Sequence, residues 1–432
     1  MNRSSPADDH RNRRNVLKTA AAGALTVGFA GCTGNGNSNG SGNGNGNGNG
    51  NGGDGGQSIF VPGLYDLSGP TAEVGVPTAN GSRDAIAYIN DSDLIEGEID
   101  HEWVDYAYDI ENARQNYDDW IQEDPPAVLG WGTPDTTGLA PQNAREEIVY
   151  VSASYSEDLM VGESTYNFFG NLDYSSQNRA MLQWINDNDP GASVATVTAL
   201  DNPFGTQVED DTEEYAADLD LTHEGFINLS LTANSASTQV SRAADLGVDY
   251  VIGHLTAAPF QVLAQDMRNE FPEAELLGTT WSIDEIRVSE SPEVYEGTRV
   301  VNAFKTFDEV ANSDTRGADV ISTTFEENRD TSMDDTTVAN LHYVRGFIHS
   351  IVLMRAIQNA QDSGGDPTSG SDLRQGMFDI NDWNVWGLAE PFNFREDDRR
   401  ATMRGRVYQV VDGGMDFETT VELPRETAWI QG

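Results

Sequence analysis

SIFVPGLYDLSGPTAEVGVPTANGSRDAIAYIN, residues 58–90, contains a short apolar run, a polar loop and an amphipathic segment in that order. The run Ile59–Leu64 predicts a buried β-strand. Gly75–Asn90 predicts a helix, because its apolar residues recur at helical spacing. These residues are Ala79, Ala85, Ile86 and Ile89. The stretch is therefore one strand–loop–helix unit, the repeating unit of an α/β fold.

The same alternation continues along most of the chain. Further strands are predicted around Ile99–Tyr108 and at Ala127–Gly130, Ile148–Val151, Val194–Val197, Tyr250–Gly253 and Leu276–Gly278. Helices are predicted at Ile110–Gln122, Ser175–Asn186, Gly205–Ala217 and Val338–Ala360. Alternating strands and helices predict parallel sheets with helices on both faces. Because the pattern begins again after Tyr174, we predict two such lobes.

Acidic residues outnumber basic ones by 71 to 25 in this chain of 432 residues, and the formal net charge is -46. Lys18 and Lys305 are the only lysines. Such a charge is compatible with disorder, but these acids lie between regular apolar segments rather than in one block. A carboxylate-rich, lysine-poor surface indicates a halophilic protein, since salt screens its self-repulsion. The charge argues against a nucleic-acid partner, because few groups could neutralise phosphates.

The N-terminal segment, residues 1–32, carries two motifs typical of an export signal. RRNVLK at Arg13–Lys18 resembles a twin-arginine signal, and the apolar run that follows it is too short to span a bilayer. FAGC at Phe29–Cys32 resembles a lipobox, so the single cysteine is predicted to carry a lipid anchor. An amphipathic arm with a chance cysteine is the alternative.

Residues 33–56 consist almost entirely of Gly, Asn and Ser. A chain of this composition behaves as a random coil, and about two dozen residues reach roughly 25–30 Å. We therefore predict a flexible tether between the anchor and the folded body, and a location at the cell surface, outside the cytoplasmic membrane.

Ligands of open α/β sheets bind beyond the carboxyl ends of the strands. The loops to consider are therefore 65–70, 131–137, 152–155, 201–205, 254–256 and 279–281. They are rich in Ser, Thr and aromatic residues and poor in charge. Hydroxyls and helix N-terminal amides can hold the polar end of a small molecule, and aromatic faces can cover its apolar body.

At these loops the chain resembles the type I periplasmic binding proteins of ABC importers, in particular the binders of branched-chain amino acids, amides and urea. The resemblance rests on the order and spacing of short signatures between about Ile59 and Val421. They are Leu64–Pro70, Gly75, Ala87–Asn90, Gly130–Ala140, Ile148–Leu159, Asn202–Gly205 and Asp249–Gly253. Together with the export motifs, they suggest a haloarchaeal lipoprotein of this family.

The resemblance implies two Rossmann-like lobes that are joined by three crossovers and close on a ligand by hinge motion. It places the first lobe at 58–174 plus 300–388 and the second at 175–299 plus 389–432. It also implies two kinds of protein partner, a membrane permease and cytoplasmic ATPase subunits. We expect a monomer.

The family's ligand contacts can be carried over to specific positions. The resemblance implies that Thr133, Asp135 and Thr136 bind a ligand carboxylate together with backbone Ala153 and side chains Ser154 and Tyr155. Further candidates are Tyr65, Trp131, Tyr174, Phe204, His254 and Trp281. Thr133 and Thr136 could instead cap a helix that starts near Thr137, and the two tryptophans could be packing residues.

The sequence departs from the family in two places. Pro134 lies where relatives often have Ser. More importantly, the amino-acid binders place a Glu after the strand matching 276–278, whereas this chain has Thr279-Thr280-Trp281. An unpaired ligand ammonium would cost several kcal/mol. Either Asp135, Asp284 or Glu285 replaces that Glu, or the ligand is an amide, a short carboxylate or an aromatic acid without an α-amino group.

Other function classes are less well supported. The body has no P-loop, cysteine nucleophile or serine nucleophile elbow, so we expect no catalysis and no cofactor. The histidines at 101, 223, 342 and 349 lack metal-site spacing and are assigned to the surface or the core. A tethered sensory receptor is the main alternative, although a receptor would normally carry a transmembrane helix and an output domain. A structural surface-layer protein would predict repeats.

Overall fold

A computed structural model describes residues 57–162, 164–329 and 340–430. The predicted export signal, lipidated Cys32 and tether lie outside the described residues. The strands are β1 Ser58–Phe60, β2 Gly63–Tyr65, β3 Glu98–Asp100, β4 Trp103–Asp105, β5 Ala127–Gly130, β6 Val149–Ser152, β7 Asn167–Phe168, β8 Ser193–Thr198, β9 Thr222–Asn228, β10 Tyr250–His254, β11 Glu275–Gly278, β12 Arg299–Asn302, β13 Arg404–Val411 and β14 Gly414–Glu422. The helices are α1 Ala72–Asn90, α2 Ile110–Trp120, α3 Thr133–Arg145, α4 Tyr174–Asn188, α5 Pro203–Thr206, α6 Glu209–Asp218, α7 Ser237–Leu246, α8 Ala257–Glu270, α9 Glu285–Glu290, α10 Pro292–Tyr295, α11 Phe307–Ala311, α12 Arg316–Arg329, α13 Leu341–Asp362 and α14 Gly370–Phe378.

The first sheet has the strand order β4-β2-β5-β6-β7, and all its strands are parallel. The predicted strand at 59–64 is divided into β1 and β2, and β1 pairs separately with β3. Pro62 lies between β1 and β2 and has no N–H to donate, which interrupts the ladder there. Helices α1–α3 and α11–α14 pack around this sheet and form the first lobe with it.

The second sheet has the order β14-β13-β12-β11-β10-β8-β9. Strands β8–β12 run parallel, whereas β13 and β14 form an antiparallel hairpin at its edge. The hairpin turns at Asp412 and Gly413, which both have positive φ (51° and 81°), as a tight two-residue turn requires. Strand β12 lies wholly in this sheet, so the predicted boundary at residue 300 falls inside one of its strands. With α4–α10 the sheet forms the second lobe.

The chain passes three times between the two sheets: after β7, after β12 and before β13. Two isolated bridges tie these crossings together, Phe169 with Arg400 and Phe304 with Ala389. The predicted α/β architecture, two lobes of largely parallel sheet joined by three crossings, is confirmed.

Helix α13 is the longest described helix and lies along α1 in the first lobe. The two helices approach closely at Gly81 and Gly346, where a Cβ would come within 2.0 Å of Tyr343 O and 1.8 Å of Thr78 O, respectively. Ser82 Oγ donates to Gly346 O at 3.0 Å. Seventeen of its 22 residues are buried, because α14 and β6 of the same lobe also pack against it. No helix among the described residues has the length and apolar character needed to cross a membrane.

Candidate functional site

The loops at the carboxyl ends of both sheets face each other across a small cavity, which we call the interlobe cavity. Its volume is about 30 Å³, room for about two water molecules. It is lined by Thr71, Val74, Tyr108, Trp131, Gly132, Thr133, Ala153, Tyr174, Phe204, Leu231, Thr256 and Trp281. Both lobes contribute, and none of these side chains carries a formal charge at neutral pH. A solute of amino-acid size therefore requires the lobes to move apart.

The structure places the predicted site residues in three groups. Six line the interlobe cavity: Trp131, Thr133, Ala153, Tyr174, Phe204 and Trp281. Ser154, Tyr155 and His254 lie directly behind them and contact the lining side chains. Tyr65, Asp135 and Thr136 are buried but do not line the cavity.

The third group points into the first lobe. Helix α3 begins at Thr133, four residues earlier than the start near Thr137 considered above, so Asp135 and Thr136 lie in its first turn. Tyr106 Oη donates to Asp135 Oδ1 at 2.5 Å. Burial raises the pKa of Asp135 to about 7, although the hydrogen bond from Tyr106 lowers it. The ring of Tyr65 packs edge-on against His101, away from the cavity.

Trp131 is both a packing residue and a lining residue. Its indole N–H donates to Thr71 Oγ1 at 2.9 Å, and Thr71 Oγ1 donates to Asp66 Oδ2 at 2.7 Å. Its ring meets Trp281 of the second lobe edge-on, with centroids 5.4 Å apart. The loop after β2 therefore fixes the ring that contacts the opposite lobe.

Three hydroxyl groups meet beside the start of α3. Ser154 Oγ donates to Thr133 Oγ1 at 2.9 Å. Burial raises the pKa of Tyr174, while hydrogen bonds from the backbone of Tyr155 and from Thr133, Trp281 and Ser154 lower it. Because Thr133 and Tyr174 both line the cavity, this cluster can hold the polar end of a ligand.

On the second-lobe side, His254 supports Phe204. Their rings stack with centroids 4.2 Å apart. His254 Nδ1 lies 3.0 Å from Thr279 Oγ1, and Nε2 lies 3.1 Å from Phe204 O, so both ring nitrogens have protein partners. Burial lowers the pKa of His254 to about 4, which leaves the ring neutral at neutral pH.

Trp281, from the second lobe, packs against several side chains of the first lobe. It stacks on Tyr155 (5.9 Å, 14°) and on His342 (5.4 Å, 12°), and the guanidinium of Arg345 lies 3.4 Å from its centroid. Tyr155 Oη also lies 3.3 Å from His349 Nε2.

The three α13 residues behind Trp281 were not predicted as site residues. His342 and His349 were assigned to the surface or the core; both are buried, and both contact groups at the back of the site. Arg345 was not considered. One signal was present in the sequence: an arginine and two histidines lie on adjacent turns within the mostly apolar first half of α13.

None of the acids that could replace the family's Glu reaches the interlobe cavity. Asp284 Oδ1 accepts from the backbone N–H of Arg287 and so caps α9, and its Oδ2 lies 3.4 Å from His342 Nε2. Glu285 accepts from the backbone N–H groups of Phe307 (2.5 Å) and Leu341 (2.8 Å). Burial raises the pKa of Glu285 to about 8. Within the described residues, no group of three or more His, Asp or Glu side chains is placed to hold a metal ion.

Comparisons with known proteins agree with this architecture. A family model described as periplasmic binding protein matches residues 58–415. A substrate-binding protein of an ABC transporter from Aeropyrum pernix has 24% sequence identity and a TM-score of 0.79, with 86% of this chain and 98% of that chain covered. A branched-chain amino acid ABC transporter protein from Thermus thermophilus with bound valine has 19% identity and a TM-score of 0.77, over 85% of this chain and 97% of that one. A fatty acid ABC transporter substrate-binding protein from Thermomonospora curvata has 17% identity and a TM-score of 0.73, over 86% and 94%. No curated protein matches.

Proposed function

The chain belongs to the periplasmic binding protein family, and we propose that it is the solute-binding lipoprotein of an ABC importer. In this proposal it captures a small solute between its lobes by hinge closure. It then delivers the solute to a membrane permease that works with cytoplasmic ATPase subunits. It acts as a binder and not as an enzyme.

The interlobe cavity is the observation that carries this proposal. Rings from both lobes line it, and the edge-on contact between Trp131 and Trp281 joins them across the cleft. Hydroxyl groups of Thr133 and Tyr174 lie on the same lining. Aromatic faces with a few convergent polar groups are typical of sites for small solutes. A ligand held between the lobes would stabilise the closed arrangement.

The lining supports a ligand without an α-amino group. Asp284 and Glu285 are bound to backbone amides, Asp135 is bound to Tyr106, and none of the three lines the cavity. A bound ammonium would therefore lose its hydration without gaining a carboxylate partner, which costs several kcal/mol. Of the two alternatives left open by the sequence, an amide, a short carboxylate or an aromatic acid is favoured over a branched-chain amino acid.

The ligand contacts that we propose are the six predicted residues that line the cavity. Thr133 and Tyr174 hold the polar end, together with the backbone of Ala153. Trp131, Phe204 and Trp281 cover the apolar body.

The N-terminal sequence supports a surface location. In this proposal the chain is exported by the twin-arginine route, anchored by lipid on Cys32, and allowed by residues 33–56 to reach its permease. Replacing Cys32 with Ser should release the folded protein into the medium. Retention of that variant in the membrane fraction would contradict the lipid anchor.

The decisive test of binding is a thermal-shift screen in multimolar KCl. The panel comprises branched-chain amino acids, short amides, urea, short carboxylates and aromatic acids. We expect Tm to rise with an amide or a carboxylate, because a ligand that binds only the folded state stabilises it. A folded protein that is stabilised by no member of the panel would argue against solute binding. Loss of uptake of that solute in cells lacking the chain would distinguish transport from sensing.

A further inference from the structure

Arg345 is a fully buried cation at the back of the interlobe site. One terminal nitrogen of its guanidinium donates to Thr280 O at 2.6 Å and to Thr280 Oγ1 at 2.8 Å. The other lies 2.7 Å from His342 Nδ1. Its Nε is buried without a hydrogen-bond partner. Arg345 belongs to α13 of the first lobe and Thr280 to the second, so the side chain spans the two lobes.

No carboxylate of the described residues forms an ion pair with Arg345. The nearest acid along its hydrogen bonds is Asp284, which is reached only across the ring of His342. Burial and, to a smaller extent, the charge of Arg345 lower the pKa of His342 to about 4, so the ring is neutral at neutral pH. Its Nδ1 accepts from the guanidinium, which leaves the proton on Nε2, facing Asp284. Burial lowers the pKa of Arg345 itself only to about 10, so its charge is retained.

Only one aromatic ring separates this charge from the interlobe cavity. The guanidinium packs on Trp281 at 3.4 Å from the ring centroid, and Trp281 lines the cavity. The carboxyl groups of Asp284 and Glu285 raise the pKa of Arg345, but neither of them lines the cavity. A ligand atom packed against the far side of Trp281 would lie roughly 7 Å from the cation, given ordinary stacking contacts.

We propose that Arg345 is a specificity-determining residue, and that it makes the interlobe site select a monocarboxylate with an apolar body over its neutral and cationic analogues. This inference rests on the proposed solute-binding function and names its substrate class. The guanidinium acts on the ligand through its field and through the position of Trp281, without touching the ligand.

Two physical arguments support this role. Charges about 7 Å apart in a partly buried site still interact strongly, because water is excluded and salt screens them little. The lining offers no carboxylate that would offset the cation on the ligand side. In the loop after β11, Thr280 offers this cation only oxygens that accept from it and no negative charge. The site should therefore favour a ligand with a negative charge.

The test compares solutes of one shape and three charges. Benzoate, benzamide and benzylamine form one set, and isovalerate, isovaleramide and isopentylamine form another. Affinities are measured by calorimetry on the full chain in multimolar KCl. In the wild type, we expect the carboxylate to bind best and the ammonium worst in at least one set.

Arg345→Met should reduce the preference for carboxylate over amide by about tenfold or more, because it removes the charge and keeps the volume. Arg345→Lys should keep most of the preference, although it loses the paired hydrogen bonds to Thr280. Arg399→Met is the matched control. Arg399 is also buried, but it donates only to the carbonyls of Leu159, Ser164 and Asn167. That variant should leave the preference unchanged.

Equal weakening of all three solutes by Arg345→Met would overturn the proposal and leave Arg345 with a packing role only. A wild type that binds the amide or the ammonium best in every set that binds would also overturn it, even if the Met variant fails to fold. If neither set binds, the monocarboxylate assignment is wrong. The broader thermal-shift panel then shows separately whether solute binding itself fails.

Discussion

Glu73 of α1 and Arg287 of α9 form an ion pair that joins the first lobe to the second. The other carboxylate oxygen of Glu73 accepts from the backbone N–H of Ala258, in the first turn of α8, at 2.7 Å. Val74 directly follows Glu73, Thr256 lies two residues before Ala258, and both line the interlobe cavity. One side chain therefore binds both a cation and a helix N-terminus of the opposite lobe at the rim of the cleft, and these contacts would be lost on opening.

Breaking this pair should weaken ligand binding a few-fold by favouring the open arrangement. We expect Glu73→Gln and Arg287→Gln to be coupled by about 0.5–1 kcal/mol, since the two side chains are only partly buried. The coupling should shrink as KCl is raised. A double-mutant cycle on Kd measures it. The exposed pair Glu111 and Arg114 on α2 is the control, and no coupling to affinity is expected there. Unchanged Kd in both rim variants would contradict the role of the pair.

Trp281→Ala should lower ligand affinity by about tenfold or more and destabilise the fold by about 3–5 kcal/mol, because it removes a buried ring that lines the cavity. Calorimetry and urea unfolding would separate the two effects. Trp184→Ala is a matched control, since Trp184 is equally buried under an arginine, Arg299, in the second lobe. It should cost similar stability without reducing affinity. If both variants lose affinity to the same extent, Trp281 makes no specific contact with the ligand.

Asp135→Asn should change the dependence of stability on pH. Burial raises the pKa of Asp135 from 3.8 to about 7. Between about pH 4 and 7 only the folded state holds this proton, so its contribution to stability is complete below pH 4 and is lost as pH rises towards 7. Urea unfolding across this range should therefore show that the stability of the variant increases relative to that of the wild type as pH rises. A constant difference would contradict the raised pKa.

Asp105→Asn should change the dependence of stability on pH in the opposite direction. Burial raises the pKa of Asp105, but hydrogen bonds from Ser68 and from the amides of Leu67 and Ala107 outweigh it and lower the pKa overall. Its contribution to stability is present above the ordinary pKa and is lost in acid. The Asn variant should therefore approach the wild type as pH falls.

Gly346→Ala should destabilise the first lobe by more than about 2 kcal/mol, because the added Cβ would lie 1.8 Å from the carbonyl oxygen of Thr78 and push α1 and α13 apart. Gly138→Ala in α3 is the control. Its Cβ would meet only the ends of two side chains, Ile110 Cδ1 at 3.0 Å and Arg114 Nη2 at 3.8 Å, and alanine favours the helix. Denaturant unfolding should show a large loss for the first variant and little or none for the second. Equal stability of the two would contradict the close crossing.

Much of the fold could be predicted because burial patterns are local. The runs that became β5, β10 and β11 match the predicted strands within a residue or two, since each is a short apolar segment between turns. The β13–β14 hairpin was missed, although Asp412-Gly413 is a recognisable hairpin turn between alternating apolar residues. The helix predicted at 205–217 is divided into α5 and α6.

The candidate site could be predicted only in part. Residues that directly follow strands, such as Trp131 and Ala153, were found because parallel strands end at one edge of a sheet. Asp135 was placed in the site from the family resemblance, but the first turn of α3 directs its carboxylate to Tyr106.

By itself, the sequence determined the alternation of strands and helices, the two lobes and the loops that face the cleft, because these follow from spacings of a few residues. Only the tertiary structure decided what lies behind Trp281. Arg345 is 64 positions further along the chain, and it reaches that ring because α13 of one lobe packs against a loop of the other. A contact between such distant residues depends on how the lobes meet, and no local pattern of hydrophobicity or charge specifies it.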